Sequence, residues 1–240
     1  MSKRMVLPPK GRLKKGQKPG KKKMACVGGV YTIEPFVRTA QDVVNEVMRH
    51  EKQTQRPRSQ HKRLRAELTQ RHEGEEIKGT EFIFPWFVQE VAKRNPKGRH
   101  PVVCVMDGER KLWRILKSLF LGVVCILDIY HVLERLWTVA YCFHAEGSKE
   151  AQAFVTTRLE RLLEGKVGYV IGGIKQMGVK NKLSKSKQKA LAQAITYLEN
   201  NRRFMKYDTY LSAGYPIGSG VVEGACRHPT PSLSVPPHSG

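Results

Sequence analysis

Residues 102–137, VVCVMDGERKLWRILKSLFLGVVCILDIYHVLERLW, restrict the fold more than any other stretch. Two short apolar runs each end in an aspartate. Residues 102–106 end at Asp107, and residues 123–127 end at Asp128. A helical pattern follows each run. Strand, carboxylate and helix, repeated, is how an α/β core presents acids at the carboxyl edge of its sheet. The bland alternative is that the aspartates simply cap the helices.

The charge balance points to a partner. Lys plus Arg is 43 and Asp plus Glu is 21 in 240 residues, a formal net charge of +22. That exceeds what solubility needs and implies an anionic partner, nucleic acid ahead of a membrane surface. No apolar run of membrane-spanning length occurs, and the basic N-terminus lacks the apolar stretch of a secretory signal. Cys26, Cys104, Cys125, Cys142 and Cys226 are scattered and form no C-x-x-C pair. They read as reduced intracellular thiols, without a zinc module or a disulfide framework.

Along the chain, residues 1–23 form a basic arm or an inter-strand loop. Its Lys14, Lys15, Lys21, Lys22 and Lys23 are expected to track DNA phosphates. Residues 24–34, MACVGGVYTIE, read as a strand in which Gly28 and Gly29 imply a bulge or a close approach. They do not form a dinucleotide-binding fingerprint. Thr39 and Asp42 fit a capping box, opening a helix with Val43, Val44 and Val47. Residues 50–80 are expected to be a loop and then a basic exposed helix, either along a DNA backbone or simply solvated. Phe82, Phe84, Trp86, Phe87 and Val91 belong to a helix whose aromatics serve core packing ahead of base stacking.

His131 and Glu134 follow Asp128 by three and six residues, facing one way at a helix start. His131 is either a ligand or positioner near the acids or a satisfied, half-buried histidine. Arg110 sits just past Asp107. Residues 138–206 are expected to be an α-helical insertion with a basic turn at Lys180, Lys182, Lys185 and Lys187 for contact with a DNA backbone. Residues 207–228 bring a glycine-rich approach, GYPIGSG, then Ser219 as a cap and Glu223 as a third acid. Residues 229–240 carry four prolines and read as a disordered or frameshifted tail.

Carboxylates from separate elements in a basic protein suit Mg²⁺ or Mn²⁺ rather than zinc. Two such ions, about 4 Å apart, activate a water or a 3′-hydroxyl and stabilise the leaving oxygen of a phosphodiester.

The blocks VVCVMDGERKLW, ILDIYHVLERLW, YLENNRRFMKYDTYLSAGYPIGSG and VVEGACRH resemble those of bacterial insertion-sequence transposases of the ISKra type. These are distant relatives of the mutator-like elements. The resemblance implies an RNase-H-like core with DDE catalysis: a mixed sheet flanked by helices and interrupted by a helical insertion. It covers about residues 10–228. Asp107 then matches the second acid, Glu223 the final glutamate, and Asp128 with His131 the aspartate–tyrosine–histidine block. Whether Asp128 holds metal or shapes the site stays open. The partner implied is double-stranded DNA at transposon ends, with a homo-oligomer at work in the cytoplasm and nucleoid and no membrane. The family's opening aspartate has no match here. The expectation is a fragment lacking the first core strand and truncated at both ends, inactive alone. The alternative is a non-catalytic basic nucleic-acid-binding protein.

Overall fold

A computed structural model describes residues 25–48, 56–72 and 75–220. Lys14, Lys15, Lys21, Lys22, Lys23, Glu223, Cys226 and the proline-rich tail lie outside the described residues. The fold is α/β.

Strand β1 (Ala25–Thr32) pairs antiparallel with β2 (Gln60–Leu68), Gly28 opposite Arg65, with a register shift between Val30 and Thr32. The close approach foreseen at the glycines is real. A Cβ on Gly28 would lie 2.3 Å from Cζ of Phe87, so only glycine lets that ring onto the sheet. Residues 60–68 correct the expectation of a basic helix. Arg63, Arg65 and Glu67 alternate with Leu64, Ala66 and Leu68, a period of two that belongs to a strand. A small hairpin follows, β3 (Gln70–His72) with β4 (Glu75–Ile77).

Between β1 and β2 lies α1 (Ala40–Val47), which starts at the expected capping box. The Thr39 hydroxyl accepts from Asp42 N at 3.1 Å and the Asp42 carboxylate accepts from Thr39 N at 2.8 Å. Helix α2 (Gly79–Arg94) covers the β1–β2 pair, and its Phe84 and Ile83 are buried. Its aromatics therefore serve packing.

Strands β5 (Val103–Met106) and β6 (Val124–Leu127) run parallel in register, Met106 opposite Leu127, and α3 (Arg110–Leu119) connects them. Among the described residues the strands form three separate pairs rather than one mixed sheet. The far edge of β6 is covered. From α8 (Tyr207–Ser212), Tyr207 Oη donates to Leu127 O at 2.8 Å and Tyr210 Oη to Cys125 O at 3.1 Å. Two side chains thus satisfy carbonyls that a further strand would otherwise take.

The remaining helices are α4 (Ile129–Phe143), α5 (Lys149–Leu163), α6 (Val167–Lys180) and α7 (Lys185–Asn201), with a 3-10 turn at Arg202–Phe204. The all-α expectation for this region holds, although α4 runs unbroken across residue 138. Val132, Leu136, Val139 and Ala140 recur at helical spacing on α4, and Val155, Leu159, Leu162 and Leu163 on α5; all are buried. With Leu191, Ala194 and Leu198 of α7 and Ile126 and Leu127 of β6 they form the core.

Candidate functional site at the carboxyl edge of the parallel pair

Asp107 and Asp128 leave neighbouring strands in register, and Asp128 N extends the ladder by donating to Met106 O at 2.9 Å. Their environments differ. Asp107 is exposed, while Asp128 is 1% exposed.

The loop after β5 is held in a fixed shape. Gly108 has φ +94°, and a Cβ there would meet Leu127 at 2.7 Å and Asn201 at 2.9 Å. Both the left-handed backbone and the tight fit require glycine. The Asp107 carboxylate accepts from Glu109 N at 3.1 Å, and its carbonyl accepts from the Tyr197 hydroxyl at 2.6 Å. Arg110 donates to the Asn200 side chain, tying the start of α3 to the end of α7.

Asp128 is spoken for by its neighbours. One carboxylate oxygen accepts from Tyr130 N at 3.0 Å, capping α4. The other accepts from Ser219 N at 3.3 Å and from the Ser219 hydroxyl. Ile129 N donates to Ile217 O at 2.9 Å alongside. The buried carboxylate therefore clamps the 214–220 loop onto the N-terminus of α4. Gly218 is required here as well, because a Cβ on it would sit 2.8 Å from the Tyr130 ring. The open alternatives for Asp128 thus gain a definite structural role. Ser219, expected as a helix cap, gives its hydroxyl to Asp128.

His131 and Glu134 pair at 3.3 Å on the first turns of α4. His131 is half-buried and Glu134 exposed.

Two residues that the sequence reading passed over enter the site. Tyr197 comes from α7, and its hydroxyl pKa is raised by burial first, lowered in part by Arg135, and raised further by Asp107, Asp128 and Glu134. Arg135 stacks over the Tyr197 ring, 4.9 Å from its centroid. Tyr197 thus stands among three carboxylates and one guanidinium, held as a neutral donor to the Asp107 carbonyl. No local pattern marks it, because its partner lies 90 residues away.

Burial, Asp107 and Glu109 together raise the Cys26 thiol. Burial pushes the Cys104 thiol up to about 12. Among the described residues Cys26, Cys104, Cys125 and Cys142 are free thiols. Next to the clamped loop lies a cleft of about 410 Å³. Arg38 and Arg56 line it opposite Glu34 and Glu46, so its charges balance.

Oxygen donors of this kind suit Mg²⁺ or Mn²⁺. Among the described residues, however, no three His, Cys, Asp or Glu side chains converge to hold an ion. Nor is any described helix long and apolar enough to cross a membrane. No family model, curated protein or solved structure matches the chain.

Proposed function

We propose that the chain belongs to a DNA transposase of the DDE type, built on an RNase-H-like core. It would act at the nucleoid on double-stranded DNA at transposon ends. The observation that carries this reading is the clamp between Asp128 and Ser219. It holds the 214–220 loop against Asp128, which ends the strand next to that of Asp107. Three positions further on in the sequence stands another acid. That residue is Glu223, the third acid of the motif. In this reading Asp107 and Glu223 would be the metal-binding pair, and Asp128 would position the loop that leads to Glu223.

In an intact homologue, Mg²⁺ or Mn²⁺ would supply an activated water and stabilise the leaving oxygen. The groups of this chain set the stage for it. Asp107 presents an exposed carboxylate on a rigid loop. Tyr197 and Gly108 hold that loop. His131 and Glu134 form the rim. Arg135 offsets the negative charge of the acids.

The test is Mn²⁺ binding measured by calorimetry and electron paramagnetic resonance, which needs no turnover. Mn²⁺ should bind the wild-type chain and be lost in Asp107→Ala and in Glu223→Gln. Asp128→Ala should weaken it about tenfold and also speed protease cleavage within residues 214–220. No Mn²⁺ binding, or binding indifferent to Asp107 and Glu223, would overturn the reading. The alternative, a basic nucleic-acid-binding protein without catalytic ancestry, would then stand.

A further inference from the structure

The two ends of the α4–α7 pair differ sharply in charge. These helices pack antiparallel. Tyr197, near the end of α7, touches Asp107, whereas Lys187 O at its start accepts from Cys142 Sγ near the end of α4. One end of the pair carries the acids. The other carries Lys180, Lys182, Lys185, Lys187 and Lys189, all exposed.

From residue 165 to residue 198 there is no aspartate or glutamate. Lysines on the rest of this hairpin have partners: Lys166 pairs with Glu164 at 2.7 Å and Lys175 with Glu199 at 2.5 Å. Among the described residues no carboxylate stands within ion-pair distance of the five at the turn. The first turn of α7 has no acidic residue, and Lys185 and Lys187 lie there against the helix dipole. Cations at that position gain nothing from the helix dipole, and an external anion would offset their cost. Residues 170–196 also contain no Phe, Tyr or Trp, so the lysine-bearing turn itself carries no ring on which unpaired bases could stack. That favours the phosphates of a duplex over a single strand.

The geometry sets a spacing. Lys187 is ten residues from Tyr197, about 15 Å along the axis, and the turn at Lys180 and Lys182 extends this to about 20 Å. Lys189, Gln193 and Tyr197 follow one another at four-residue intervals along one row of α7. That row carries no acid.

We propose that the lysine end of the α6–α7 hairpin is a second docking point for B-form DNA. It grips duplex phosphates about six base pairs from the Asp107 edge, taking 3.4 Å per base pair. The inference rests on the DNA reading above, and adds to it a ruler that fixes how much duplex the protein must engage at once.

The experiment is fluorescence anisotropy of the full chain against DNA hairpins with stems of about four, eight and twelve base pairs, each over a range of salt. Wild type should show a salt slope that steepens between the four- and eight-base-pair stems and then levels off. The variant K180Q/K182Q/K185Q/K187Q should lose that step, with a slope shallower by about three and affinity for the eight-base-pair stem down at least about tenfold. Arginine at the same four positions should restore both, which separates loss of charge from loss of folding. If wild type binds DNA while the glutamine variant matches it, the docking point is wrong and the DNA reading survives. If the variant loses the step and arginine fails to restore it, the docking point is also wrong. If wild type binds no hairpin, both fall. Tighter binding to phosphatidylserine vesicles than to the eight-base-pair stem would assign the lysines to a membrane instead.

Discussion

Residues 25–94 and residues 110–217 are held together by different forces. In the first stretch the fully buried apolar side chains are Val43, Val44, Ile83 and Phe84; all the others in the described chain lie at or beyond Trp113. The β1–β2 pair leaves Val27 43% and Leu68 49% exposed. Beside the packing of Ile83, Phe84 and Phe87, charge helps fix α2 to it. Glu90, 2% exposed, meets Arg94, Arg63 at 3.0 Å and Lys93 at 3.3 Å, and Arg94 also donates to His61 O at 2.8 Å. Arg65 adds a cation–π contact on Trp86. The second stretch is held by hydrocarbon interdigitation among α4, α5, α7 and β6. The candidate site lies where the two meet, with its anchors on the dense side: Tyr197, Asn201 and Asp128 all belong to it.

The largest expected effect tests the dense side. Leu136 is 0% exposed on α4, which packs against α5 and α7. Leu136→Ala should cost about 3 kcal/mol, from lost transfer energy plus a cavity that rigid neighbours cannot close. Urea unfolding would measure it. A loss under about 1 kcal/mol would mean that this core yields readily, contrary to its uniform burial.

A smaller effect, with a pH signature, tests the other side. Hydrogen bonding to Arg94 depresses the Glu90 pKa, with Lys93 and Arg63 adding to it against desolvation. A folded-state value below the unfolded one means that the group contributes stability above the ordinary glutamate value, about 4.3, and loses it as pH falls through the lowered value. Hydrogen-exchange protection factors across β1, β2 and α2 should therefore fall below about pH 4.3, while those of α4 and α7 hold. Glu90→Gln should cost about 2 kcal/mol at neutral pH and flatten that acid response. If both halves loosen together, the division into two kinds of cohesion fails.

Legibility from sequence followed the same division. Ile129, Leu133, Leu136, Trp137 and Ala140 recur at a spacing that marks α4, because burial of a stripe is one repeated requirement. Val132 and Val139, however, are fully buried where Leu133 and Trp137 are half-buried. The capping box at Thr39 and Asp42 was equally legible because its chemistry is local. Strand β2 was misread because its basic residues dominate the composition, while its signal is an alternation over six positions. Asp107 and Asp128 were found as strand-end acids, yet nothing local said that one would be exposed and the other buried. That difference comes from Ser219, 91 residues from Asp128. Tyr197 and Arg135 were missed for the same reason: each acquires its role only when α7 and α4 are laid side by side.

The smallest expected effect is the one that would most directly break the comparison. Val27 on β1 is 43% exposed, and Val155 on α5 is 0% exposed. Valine to threonine keeps shape and swaps a methyl for a hydroxyl. At Val155 the hydroxyl enters an apolar interior, and Val155→Thr should cost about 1–2 kcal/mol even if it finds the carbonyl one turn back. At Val27 the hydroxyl reaches water and threonine suits a strand, so Val27→Thr should stay within about 0.5 kcal/mol. Paired urea titrations read the difference directly. A cost at Val27 as large as at Val155 would show that the outer face of β1 is covered in solution. The sparse half would then owe part of its cohesion to an apolar contact, and the acid response assigned to Glu90 would have to be re-measured with that contact removed.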